Sequence, residues 1–204
     1  MSAQKSILLG VFAAVVVALG IAAASWVYTP RAVELKSGTL LQAPRALPEF
    51  ALLDHDGAPF THRQLEGRWS LVFAGFTRCP DVCPTTLALL KQVNARLPGG
   101  GAHVVFLSVD PERDTPAALK TYTTYFDPSF TGVTAREPQL GEFARALGLA
   151  YAKVPGTTPD TYDMDHSAAL VLIDPQGRIA GYLSPPFDPA ALAADLGSVM
   201  GRKA

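Results

Sequence analysis

An α/β domain is predicted by two observations. Short apolar runs at Trp69 to Phe76, His103 to Val109 and Ala168 to Ile173 have the length and the β-branched or aromatic content of buried strands. Between them lie stretches with apolar residues at helical spacing, opened by Pro and closed by Gly. Alternation of the two patterns is what an α/β sandwich requires. The 204 residues carry 17 Lys and Arg against 18 Asp and Glu with no basic tract, so nucleic-acid binding has no electrostatic support.

The chain opens on a different composition. Ile7 to Val27 is an almost unbroken apolar stretch of about 21 residues, enough to span a bilayer as a helix at about 1.5 Å per residue. Trp26 and Tyr28 fall where interfacial aromatics would lie. The competing reading is a cleavable signal peptide, with Ala22-Ala23-Ala24-Ser25 as the small-residue site, but the run exceeds a typical signal core. Residues 1–28 are therefore read as an N-terminal membrane anchor. The expected location is a bacterial inner membrane, single-pass, with the remainder in the periplasm; no Arg-rich, Ser-rich transit segment argues for a mitochondrion. Residues 29–47, broken by Pro30 and Pro44, read as a linker, and 48–204 as one domain with a single core.

Within that domain, Phe50 to Leu53 and Ala58 to Thr61 flank an Asp-Gly turn and predict an entering hairpin. The strand Trp69 to Phe76 precedes a helix over Thr85 to Leu97, which Pro98-Gly99-Gly100-Gly101 terminates. After the strand His103 to Val109, Thr115 as N-cap and Pro116 as the first helical residue open a helix to about Phe126. A strand at Thr131 to Thr134 leads to a helix over Pro138 to Leu147, closed by Gly148. Polar, acidic chain fills Pro155 to His166. A strand pair, Ala168 to Ile173 and Ile179 to Leu183 across Asp174-Pro175-Gln176-Gly177, and a helix from Asp188 to Met200 complete the domain. Strand and helix twice over, then an antiparallel hairpin and a helix, predict a thioredoxin-like three-layer sandwich. In that arrangement the chemistry sits on the loop after the first core strand.

That loop, Gly75-Phe76-Thr77-Arg78-Cys79-Pro80-Asp81-Val82-Cys83-Pro84, holds the only two cysteines. Pro84 reads as the first residue of the helix, which puts Cys83 at its N-cap. A thiolate there faces unpaired N–H groups and the positive end of the helix dipole, and Arg78 adds a cation beside Cys79, so both thiol pKa values are expected to fall. Three roles compete for the pair: a structural disulfide, a redox dithiol and a soft-metal site. So small a loop constrains little unfolded-chain entropy, which disfavours the first.

Of the four histidines, His55, His62 and His103 have no ligand spacing around them and read as solvated. His166 follows an acidic stretch and enters a buried strand where a thioredoxin-like fold returns to its dithiol. Two thiolates and an imidazole suit Cu(I) and can also hold Cu(II), whereas structural zinc would want a fourth ligand. Asp163 and Asp165 are candidates to orient His166, Asp165 less so because neighbours on a strand point to opposite faces. Asp110, Pro111 and Arg113 are read either as bracing their loop or as touching a partner.

The ordered motifs GFTRCPDVCP, SVDPERDT and YDMDHSAALVLIDPQG strongly resemble those of the SCO/SenC family of membrane-anchored, thioredoxin-fold copper proteins, over about residues 45 to 200. The resemblance implies Cys79, Cys83 and His166 as copper ligands. It implies a metallochaperone that matures the binuclear copper centre of cytochrome c oxidase, by passing on copper or by keeping the recipient's cysteines reduced. Implied partners are the copper-site subunit of the oxidase and another copper chaperone or a thiol reductant. Arg78 stands where some relatives carry His or Asn. The alternative is a membrane-anchored thiol-disulfide oxidoreductase using Cys79 and Cys83. It is disfavoured because no proline directly precedes Ala168, where thioredoxin-type enzymes place a cis-proline. A peroxidase is disfavoured by the lack of a Thr-x-x-Cys pattern.

Overall fold

A computed structural model describes residues 11–21, 35–156, 158 and 161–201. The chain divides into two units, Met1–Val33 and Glu34–Ala204. In the first, residues 11–21 are helical (α1) and exposed along their length. The rest of the expected anchor, Ile7 to Val27, lies outside the described residues, and no described helix is long and apolar enough to cross a membrane.

The second unit is built on an eight-stranded sheet. In chain order its strands are β1 (Gly38–Ala46), β2 (Leu52–Asp54), β3 (Pro59–Phe60), β4 (Ser70–Gly75), β5 (His103–Ser108), β6 (Thr131–Thr134), β9 (Leu170–Ile173) and β10 (Arg178–Leu183). They lie side by side as β1-β10-β9-β4-β5-β6-β2-β3. The sheet is parallel from β4 to β6 and antiparallel at both flanks. Strands β4, β5 and β9 are buried at every position, which explains why they read as continuous apolar runs without alternation.

Successive residues of β4 and β5 face opposite sides of the sheet. Val72, Ala74, Val105 and Leu107 pack with Leu140, Phe143 and Leu147 of α5 (Gln139–Leu147). Phe106 points to the other face, where Tyr122 of α4 (Pro116–Phe126) lies with ring centroids 5.4 Å apart. Helices α3 (Val82–Asn94) and α6 (Pro189–Met200) pack together there, so the expected three layers are present. The helix signals act as expected. Thr115 caps α4 by accepting from the Ala118 amide at 3.3 Å, and Gly148 ends α5 at φ +76°.

Two readings need correction. Residues 38–46, assigned to the linker, form β1, an edge strand on β10 whose register shifts between Leu40 and Arg45. Pro44 sits within that irregularity, the edge position at which a strand tolerates proline. The acidic stretch leading to His166 is also structured: Tyr162–His166 is β8, which pairs with β7 (Tyr151–Pro155), a strand not predicted, in a separate antiparallel hairpin.

Candidate metal centre

The cysteine loop leaves the sheet at the carboxyl end of β4. Because β9 runs antiparallel to β4, with Phe73 opposite Leu170, the chain entering β9 arrives at that same end. It brings His166, the last residue of β8. His166 thus ends a hairpin, four residues short of β9, and does not itself enter the buried strand.

Cys79, Cys83 and His166 place their ligand atoms within 4.8 Å of one another, the one such group of three found among the described residues. Cys83 Sγ lies 3.6 Å from His166 Nε2, and the Cys83 amide donates to Cys79 Sγ at 3.4 Å. His166 Nδ1 donates to the Ser167 carbonyl at 3.2 Å. A carbonyl can only accept, so this hydrogen bond requires a proton on Nδ1, and in the neutral Nδ1–H tautomer the Nε2 lone pair faces the sulfurs. The imidazole packs edge-on against Phe73 and Phe76, centroids 6.2 and 6.1 Å away. Cys83 is wholly buried, while Cys79 and His166 are half-buried and give access from one side.

Helix α3 begins earlier than the prolines suggested. Asp81 is the N-cap, Cys83 the second helical residue and Pro84 the third. The first turn has no intrahelical partners for its amides, so proline fits at its third position as well as its first. The predicted drop in thiol pKa is overturned for Cys83. Burial pushes its thiol up, and the neighbouring Cys79 and Asp114 add to the effect against an opposing backbone hydrogen bond at Phe76. Arg78 is exposed and supplies no countercharge to the buried sulfur. In the metal-free protein Cys83 is a neutral thiol, and a soft cation binding there displaces its proton.

Two residues that sequence reasoning did not single out shape the loop. A Cβ on Gly75 would meet Phe106 Cε2 at 2.6 Å and Cys83 Sγ at 2.8 Å, so only glycine lets the sulfur sit against β4. Buried Asp114 accepts from the Thr77 amide at 2.9 Å, the Thr77 hydroxyl at 2.6 Å and the Ser108 hydroxyl at 2.6 Å. It ties the start of the cysteine loop to the end of β5. A glycine closing an apolar run is the only sequence signal for the first, and a carboxylate in a Pro- and Asp-rich turn for the second.

The remaining candidates fall elsewhere. Asp163 and Asp165 are exposed and neither bonds His166; Asp163 accepts from the Met164 amide instead. Asp110 and Arg113 form an ion pair that braces their loop and β8. The reading of three solvated histidines is wrong for two. His55 Nδ1 accepts from the Gly132 amide at 3.1 Å, and its side chain is 11% exposed. His103 is buried at the start of β5, bonded to the Thr131 hydroxyl, and burial drives its pKa down to about 4. Neither joins the cysteines.

A family profile described as SCO1/SenC matches residues 39–201. A Stutzerimonas stutzeri protein named for copper binding is 40% identical over 152 residues, 72% of this chain and 74% of that protein. The mitochondrial SCO2 homolog of Bos taurus is 37% identical over 153 residues, 73% of this chain but only 58% of that longer protein. Among solved structures, Bradyrhizobium japonicum ScoI with copper bound superposes with a TM-score of 0.67 at 35% identity, covering 74% of this chain and 98% of that one.

Proposed function

The chain belongs to the SCO1/SenC family, and from that premise we propose that Cys79, Cys83 and His166 bind a copper ion that the protein delivers to the binuclear copper site of cytochrome c oxidase. One observation carries the reading: two sulfurs and an imidazole nitrogen, all within 4.8 Å, with Cys79 and His166 half-buried. Two thiolates and one imidazole make a soft, low-coordinate donor set that suits Cu(I) and also holds Cu(II).

Access from one side fits transfer. A recipient's thiolates displace half-buried Cys79 first and buried Cys83 last, so copper passes by ligand exchange without release to solvent. Both cysteines must be reduced for this, which in an oxidising compartment requires a separate thiol reductant. The apolar stretch Ile7 to Val27 anchors the chain in a bacterial inner membrane with the domain in the periplasm, facing the oxidase subunit.

The test compares copper stoichiometry and affinity of the reduced protein for wild type and His166→Ala. The expected result is about one copper per wild-type chain and sharply weaker binding in the variant. Copper binding indifferent to His166, with thiol-disulfide exchange retained, would replace this reading with the dithiol oxidoreductase.

A further inference from the structure

Arg113 makes contacts for which metal binding by itself gives no reason. Its side chain is only 17% exposed. Its Nε pairs with buried Asp110, and Nη1 donates to the Tyr162 carbonyl at 3.0 Å. The guanidinium carbon lies 3.7 Å from the Tyr162 ring centroid and 5.8 Å from that of Phe76. The Tyr162 hydroxyl donates to Asp110 at 2.7 Å. Nη2 is buried with no acceptor among the described residues.

These contacts converge on His166 by two routes. Tyr162 is the first residue of β8 and His166 the last, so fixing one end of the strand constrains the other. Phe76, 5.8 Å from the Arg113 guanidinium carbon, is one of the two rings that meet the imidazole edge-on, at 6.1 Å. A two-stranded hairpin has little stability of its own, so its position must be imposed from outside. At the His166 end, the Ser167 amide donates to the Ala150 carbonyl at 2.9 Å. At the other end stands Arg113.

We propose that Arg113 and Tyr162 form a positioning clamp that holds the β8 hairpin, and with it His166, at ligand distance from Cys79 and Cys83. The clamp deepens the metal-site reading and rests on it. Neither residue touches the metal. A planar guanidinium serves Asp110, the Tyr162 carbonyl and two rings at once, which a lysine ammonium cannot do.

The test uses Arg113→Lys, Tyr162→Ala and Tyr162→Phe in the full chain, with His166→Ala as reference. In the copper-free protein, NMR cross-peaks between the His166 ring and Phe76 report the arm, and those between Phe73 and Phe106, 5.9 Å apart, report the core. Arg113→Lys and Tyr162→Ala should lose the first set and keep the second, and Cu(I) affinity should fall by about 10- to 100-fold, toward His166→Ala. Tyr162→Phe, which retains the ring, should keep both sets. Unchanged His166 cross-peaks in Arg113→Lys and Tyr162→Ala would overturn the clamp, as would joint loss of both sets, which marks a general packing role. If His166→Ala leaves copper affinity unaltered, the metal reading falls separately, while the cross-peaks still decide the clamp.

Discussion

Cys83 and His166 meet across 3.6 Å, yet the sulfur is wholly buried on a helix rooted against the central sheet, whereas the imidazole ends a two-stranded hairpin with exposed side chains at most positions. Cys83 is positioned by burial, its sulfur packed against Gly75. The histidine arm rests on the core only through half-buried Tyr151 and Met164, and is otherwise positioned by directed contacts: a hydrogen-bonded base at Ser167, the Tyr162 and Phe76 rings near Arg113, and the ion pair of Arg113 with Asp110. On the proposed role in copper transfer, the division leaves half-buried Cys79 and His166 as the ligands open to exchange while buried Cys83 stays in place.

The largest effect should come from disturbing the packed arm. Gly75→Ala forces a methyl group between Phe106 and Cys83 Sγ, and the predicted loss of stability is about 3 kcal/mol. Urea denaturation of the metal-free protein checks it; wild-type stability would show that Cys83 is as free to shift as His166. Next, Asp114→Ala strips acceptors from the Thr77 amide and hydroxyl and from the Ser108 hydroxyl. Its expected cost is about 2.5 kcal/mol, with greater exposure of Cys79 to alkylation.

The same contrast governs how much of each arm the amino-acid sequence discloses. The cysteine arm is legible because burial writes itself into sequence: SLVFAG and HVVFLS are apolar inside their polar ends, and the two prolines mark a helix start to within two residues. The hairpin is harder to read, since YAKVP is exposed at all but its first position and the alternation in YDMDH, with Tyr162, Met164 and His166 half-buried and both Asp exposed, runs for only five residues. Its order comes from cross-strand pairing and from Arg113, a residue about 50 positions away whose partner no local pattern names. Strand β1 is hidden for a related reason, being a bulged edge strand with a proline inside it. The raised Cys83 pKa is equally illegible because helix-dipole reasoning is local, whereas burial is set by the whole fold.

Acid sharpens the comparison from the far end of the sheet. His103 has a folded-state pKa of about 4, below its usual value near 6.5, so the unfolded chain binds the proton more readily. Its contribution is intact above pH 6.5, declines as pH falls, and levels off below about 4, with a predicted loss of about 2 kcal/mol by pH 5. His103→Gln should flatten that part of the pH profile measured by denaturant unfolding. An unaltered profile would remove His103 from the account and leave acid sensitivity to other groups.

The smallest effect separates two cations over one ring. Lys153 Nζ lies 3.8 Å from the Tyr162 centroid, almost the distance of the Arg113 guanidinium carbon, so ring geometry alone would give the two residues equal weight. Their surroundings differ. The Lys153 side chain is 47% exposed and its partner Glu112, at 2.8 Å, is 67% exposed, whereas Arg113 is mostly buried and paired with a carboxylate that is 2% exposed. Solvent and salt screen the outer pair, and ordering two long side chains offsets part of its attraction. Lys153→Ala should therefore change stability by less than about 1 kcal/mol, shrinking further in high salt, and should leave His166 against Phe76. If Lys153→Ala instead released His166 as Arg113→Lys is expected to, stacking on Tyr162 rather than burial of the guanidinium would be what holds the hairpin.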